Sequence, residues 1–125
     1  MRKQTGIILA GAMLAATAGA PALAHHSYAM FDAKQNKELS GTISAFKWTN
    51  PHSYIEVMVT DDKGQTQTWG VECGSPAQMV RAGWKSSSLK PGDHVVVTVH
   101  PLRDGTAGGS FVQVQTADGK VLKAS

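Results

Sequence analysis

From Glu38 to Leu122 the apolar residues of this chain fall on alternate positions, with one interruption, and that period of two narrows the available folds more than any other feature. Alternation sends successive side chains to opposite faces of an extended strand, so each run builds a sheet with one face to bury. Leu39, Gly41, Ile43 and Ala45 alternate with polar residues, and Phe46 and Trp48 follow on the other phase. A change of phase within a strand predicts a bulge or bend, and Gly41 would help the chain coil there. Thr49-Asn50-Pro51 stops the strand. Ile55, Val57 and Val59 then alternate with Tyr54, Glu56 and Met58. Asp61-Asp62-Lys63-Gly64 reads as a hairpin loop, and residues 65–72 as its return strand, with Gln67, Trp69 and Val71 on one face. The run from His94 to His100 is the most β-prone in the chain and predicts burial on both faces in its middle. Pro101 ends it, and residues 103–109 read as a mobile, glycine-rich hairpin loop. Phe111, Val112 and Val114 make the next strand, Asp118-Gly119 a second hairpin turn, and Val121-Leu122 a short last strand.

The interruption is helical. Ser75 suits an N-cap, Pro76 the first helical position, and Gln78 completes a capping box. Met79, Val80 and Ala82 continue the segment for about two turns, and Gly83 can end it. Five or six strands with one short helix between the third and fourth is the order of an OB-type barrel. The expected fold is therefore mainly β: a single small OB-like barrel over residues 38–125, preceded by an N-terminal arm over residues 25–37. A sandwich with another strand order would use the same local signals. In the arm, Tyr28, Met30 and Phe31 are the side chains expected to dock on the body; the alternative is a frayed terminus.

The first 24 residues carry a different pattern. Arg2 and Lys3 precede an apolar stretch from Gly6 to Ala20, and Ala22 and Ala24 occupy the positions where a signal peptidase requires small side chains. A membrane span needs about 20 apolar residues, whereas this stretch is shorter and broken by Thr17, Gly19 and Pro21. Residues 1–24 thus read as a cleavable signal peptide, and the working protein as periplasmic or secreted, with His25 as its first residue. Removing Arg2 and Lys3 from 12 basic residues set against 9 acidic ones brings the formal charge from +3 to +1. Near-neutral charge and export argue against nucleic acid as a partner, and no second apolar run follows to span a membrane in the mature chain. The one cysteine, Cys73, excludes an internal disulfide and reads as a buried small hydrophobe.

All five histidines, His25, His26, His52, His94 and His100, lie beyond the leader. A terminal histidine offers its α-amine and imidazole Nδ1 to one ion, an arrangement suited to Cu(II). His25 with His26 and His52 form the candidate metal set, with copper the candidate cofactor and His100 a further candidate for a third nitrogen. Met30 and Met58 are soft donors available to Cu(I). His94 and His100 share a strand face but lie too far apart to hold one ion. The competing reading of Asn50-Pro51-His52 is structural, with His52 holding the turn through a ring nitrogen. This arrangement resembles the N-terminal copper site of copper-resistance carriers and of lytic polysaccharide monooxygenases, a resemblance that covers only Ala24-His25 and the other histidines.

Trp48, Tyr54 and Trp69 are candidates for an aromatic ligand-binding face, with Arg103 reaching it from the 103–109 loop. That face would serve a non-enzymatic module binding a small molecule or partner protein without metal. A thiol enzyme would centre on Cys73 ahead of the helix start at Ser75, but no general base can be assigned to it. Glu56, Glu72 and Asp93 show no spacing that pairs carboxylates for acid–base work, so no enzyme is expected.

Longer blocks carry a second resemblance: His25-His26-Ser27-Tyr28-Ala29-Met30-Phe31-Asp32, Phe46-Lys47-Trp48-Thr49-Asn50-Pro51-His52, Ser75-Pro76, Arg81-Ala82-Gly83-Trp84, Leu89-Lys90-Pro91-Gly92-Asp93 and Pro101-Leu102-Arg103-Asp104-Gly105. Over residues 25–122 the chain resembles a family of small exported bacterial proteins known as domain of unknown function 6152. The resemblance implies export and one all-β domain, and brings no activity or site residue with it.

Overall fold

The computed structural model describes residues 28–125. The leader expected at residues 1–24 and the candidate ligands His25 and His26 lie outside the described residues. A 3₁₀ turn at Tyr28–Met30 leads into β1 (Lys37–Lys47), β2 (Tyr54–Thr60), β3 (Thr66–Glu72), α1 (Pro76–Arg81), β4 (His94–Pro101), β5 (Gly108–Thr116) and β6 (Val121–Lys123).

The sheet runs β3-β2-β1-β4-β5-β6, and β3 also pairs with β5. That extra parallel pairing, Gly70–Glu72 against Gly108–Ser110, closes strands β1 to β5 into a barrel with the helix between β3 and β4, the OB order. β1 serves two neighbours: Lys37–Thr42 pairs with β4, and Thr42–Lys47 with β2. Its register shifts between Ile43 and Ala45, just before the apolar phase changes at Phe46. Gly41 marks the bend, because a Cβ there would stand 2.1 Å from the Met58 carbonyl oxygen. β5 likewise changes neighbour, from β3 at residues 108–110 to β6 at residues 113–115.

The alternating residues Leu39, Ile43, Ile55, Val57, Val71, Val97, Val99 and Val114 fill the interior, each almost wholly buried. Each such aliphatic side chain contributes about 1.5–3 kcal/mol relative to exposure. Trp84 plugs the barrel after α1. Its ring packs on Phe46 and edge-on to Phe111, and its indole N–H donates to the Lys123 carbonyl at 2.8 Å. α1 starts as its sequence predicts: the Gln78 N–H donates to Ser75 Oγ, and the Ser75 N–H to Gln78 Oε1. Gly83 follows with φ +91°, a conformation that favours glycine. The helix holds six residues between the caps Ser75 and Ala82, close to the two turns expected.

Three expectations are corrected. β4 buries one face in the core, through Val95, Val97 and Val99, while Val96 and Thr98 are only half-buried on the outside. Its middle is not enclosed on both faces because, among the described residues, no second layer covers that side of the barrel. Gly108 and Gly109 are not part of a mobile loop; they are the first residues of β5 and the seam of the barrel. A Cβ on Gly109 would lie 2.8 Å from both Val99 Cβ and the His100 carbonyl oxygen, so glycine permits the close approach there. Among the described residues of the arm, Phe31 alone is buried, bridging to Leu102, whereas Tyr28 is 65% exposed and Met30 38% exposed. Backbone bonds complete the docking: the Asp32 N–H donates to Pro101 O at 2.8 Å and the Arg103 N–H to Met30 O at 3.0 Å.

Candidate functional site

Glu72 follows the inward-facing Val71 and therefore lies on the outer face of the barrel. In register it opposes Tyr54 of β2 and Ser110 of β5, and Ser110 opposes His100 of β4. Tyr54, Glu72, Ser110 and His100 thus form a polar row across four neighbouring strands at one end of the barrel. His52, two residues before Tyr54, shares that phase. The pairing of β2 and β3 continues to it, since the Ser53 N–H donates to Gly74 O and the Cys73 N–H to Ser53 O.

His52 is fixed by its neighbours. Its Nδ1–H donates to the Cys73 carbonyl at 3.1 Å, so in the neutral ring the lone pair sits on Nε2. Nε2 faces Glu72 Oε1 at 3.6 Å, with His52 36% and Glu72 17% exposed. The turn before it holds a cis Asn50-Pro51 bond, and Thr49 Oγ1 donates to the His52 carbonyl. A ring nitrogen of His52 thus does make a structural bond, but across to Cys73, just past the end of β3, rather than within its own turn. His100 is held in the same manner, its Nδ1–H donating to the Gln35 carbonyl at 2.9 Å.

The Glu72 carboxylate acts on its surroundings. Burial, then the Glu72 charge, pushes the Cys73 thiol up to about 12. Burial first and the charges of Glu72 and Cys73 next also raise the Tyr54 phenol above its ordinary value. Cys73 is buried and keeps its proton, which disfavours a thiolate nucleophile there. Across the row, the Ser110 hydroxyl donates to the Tyr28 phenol oxygen at 3.2 Å, so the arm rests on the same end of the barrel. Chemically the pair offers a nitrogen lone pair and a carboxylate oxygen side by side, which can receive a cation or share a proton. Among the described residues no group of three or more histidine, cysteine or acidic side chains is gathered to hold a metal.

The remaining sequence-selected residues are dispersed. Trp48 stands edge-on to Phe46 and belongs to the plug around Trp84. Trp69 lies under the Lys37 ammonium, 5.4 Å from the ring centre, in a cleft of about 500 Å³ that Leu39, Val59, Asp61 and Gln67 also line. Tyr54 is on the outer face beside Glu72, so the three aromatic residues do not form one surface. Arg103 is engaged with the arm: its Nε–H donates to Ala29 O at 2.9 Å and its head lies 3.7 Å from Asp32 Oδ1. His94 bonds Thr42 Oγ1 at the far end of β4 from His100. Glu72 and Ser110 were not selected by sequence reasoning. The signal for Glu72 was its phase, opposite to Val71 and matched to His52 and Tyr54 across the hairpin.

Fold and site together define a small OB-type β-barrel domain with a histidine–carboxylate pair on its outer face. The chain belongs to a family of unknown function, DUF6152, whose model matches residues 13–113. No curated protein matches it. Among solved structures, a mitochondrial single-stranded DNA binding protein of S. cerevisiae is similar, at 16% identity and a TM-score of 0.48, over 73% of this chain and 97% of that one. The barrel assignment rests on the strand order and register given above. Among the described residues, no helix is long and apolar enough to cross a membrane.

Proposed function

We propose that this is an exported periplasmic protein, non-enzymatic, that binds a copper ion between the histidine at its processed N-terminus and His52 on the barrel. The observation that carries the reading is the seat of the arm. Tyr28 contacts Ser110, the register partner of Glu72, and Glu72 stands beside Nε2 of His52. His25 is three residues before Tyr28 in the sequence, and three residues of extended chain span about 10 Å, about two strand spacings. The α-amine and Nδ1 of His25 with Nε2 of His52 supply the three nitrogens that suit Cu(II); His26 is the adjacent reserve donor.

Metal analysis of natively exported and processed protein tests this. One copper per chain is expected, with affinity falling sharply when one residue is added before His25. An unprocessed first residue, or equal affinity in the extended protein, overturns it. The alternative, a metal-free module for a small molecule or partner protein, is supported by the cleft beside Trp69. A charge near +1 after the leader supports a partner other than nucleic acid. Retention of single-stranded DNA by the metal-free protein at physiological salt would count against that part of the reading.

A further inference from the structure

We infer that the cleft beside Trp69 is a binding site for a neutral pyranose oligosaccharide; this rests on the metal-free reading above and names its ligand class. The cleft opens where two sheet edges diverge. Backbone pairing between β1 and β2 ends at Thr42 and Met58. From there the β2–β3 hairpin runs on to Thr60 and Thr66, while Lys37–Gly41 follows β4 instead. The space between them is about 500 Å³, within the range of about 300–1,000 Å³ usual for small-molecule sites.

Trp69 forms the apolar wall. Its ring is half-buried, packed on the core and turned to the cleft on its other side. The ammonium of the exposed Lys37 stands 5.4 Å from the ring centre, so a guest reaches the ring by moving aside one flexible, solvated side chain. Polar groups with unused capacity surround the ring. Among the described residues, the Trp69 indole N–H, the side-chain amides of Gln65 and Gln67 and the Glu38 carboxylate have no hydrogen-bond or ion-pair partner. Asp61 accepts the N–H groups of Lys63 and Gln65 with Oδ1 and keeps its other oxygen unbonded.

These groups select the guest. One ammonium set against two carboxylates gives no field that favours an anion, and a cation would compete with Lys37 for the ring. A flat apolar guest would cover the indole but strip water from amides and carboxylates that it cannot pair. A pyranose meets both demands. Its C–H groups give it an apolar face to lie on the indole, and its hydroxyls donate and accept at once. Planar amides and carboxylates, each with two polar atoms, bridge neighbouring hydroxyls of such a guest.

The test titrates the ¹⁵N-labelled full chain, in the presence of EDTA, with cellotetraose, maltotetraose and chitotetraose. NMR follows the indole N–H signals of the three tryptophans, with Trp69 assigned through Trp69→Phe. A saturable shift of the Trp69 signal is expected with at least one sugar. Gln67→Ala truncates an exposed side chain; it should leave the thermal melt unchanged and weaken that binding about five- to tenfold. Lys37→Ala clears the ring and should bind at least as tightly as the parent. No shift with any sugar overturns the inference, as does unchanged affinity in Gln67→Ala or lost binding in Lys37→Ala. Benzoate and a tetra-alanine peptide, titrated in the same way, separate the ligand class from the site. If either moves the Trp69 signal and no sugar does, the sugar inference falls and the metal-free reading stands. If no probe moves it, the cleft supports neither.

Discussion

The sharpest structural test compares two glycines on different barrel strands, Gly41 of β1 and Gly70 of β3. A Cβ at Gly41 would sit 2.1 Å from the Met58 carbonyl oxygen and 3.1 Å from a Val57 methyl, whereas one at Gly70 meets nothing within 4 Å. Neither residue has a positive φ, so both can accept alanine as far as their own backbone is concerned. At Gly41 the obstacle is backbone, which cannot rotate away; relieving the contact requires the two strands to separate by about 1 Å. Overpacking of this kind costs about 1–3 kcal/mol, and the rigid neighbour puts Gly41→Ala at the upper end, about 3 kcal/mol. In a domain of this size that is a fall in Tm of roughly 12–24 °C. Gly70→Ala should change stability by less than about 0.5 kcal/mol. Urea and thermal unfolding of the two variants, followed by tryptophan fluorescence, measure both. If Gly41→Ala melts within a few degrees of the parent, or if the two variants lose equal stability, the account of how β1 bends is wrong.

Other outcomes follow from buried groups and from the arm. Ser53 is fully buried and its hydroxyl has no hydrogen-bond partner among the described residues, so Ser53→Ala should leave stability in urea unchanged or raise it by up to about 1 kcal/mol. Trp84→Phe removes the indole bond to Lys123 and part of a packed ring, and should cost about 2–3 kcal/mol in the same measurement. Cys73 holds its proton more firmly when folded, up to about 12 from an ordinary 9.0, so its contribution is complete below the unfolded value and is lost as pH rises between the two. The parent should therefore lose more Tm than Cys73→Ala between pH 8 and pH 10.5, and an equal loss would show that the thiol is not the group responsible. Arg103→Ala releases one bond to Ala29 and the contact with Asp32, and should speed protease cleavage near Tyr28 while leaving the barrel intact.

Local signals were read correctly where the residues concerned lie close in sequence. The cap at Ser75, the stop at Gly83 and the bulge after Ile43 each depend on a few consecutive residues. Gly108 and Gly109 were misread as a mobile loop because their role exists only after β3, nearly 40 residues earlier, has come alongside. The same distance hid the polar row. Glu72 and Ser110 become neighbours by parallel pairing, which leaves no hairpin signature between them. His52 was legible as a candidate by residue type alone; its fixed tautomer and carboxylate neighbour required the register. The aromatic grouping failed because Trp48, Tyr54 and Trp69 were joined by composition, while the barrel turns them toward three different surroundings.

The handover along β5 from β3 to β6 gives the last few residues a protective task. Val121–Lys123 covers the stretch of β5 that barrel closure leaves bare, and Lys123 also receives the indole of the plug. A chain cut after Thr116 would present Gln113–Gln115 as an open template, inviting the same stretch of another molecule to take the missing place. Shortened versions of the protein should accordingly self-associate before they unfold.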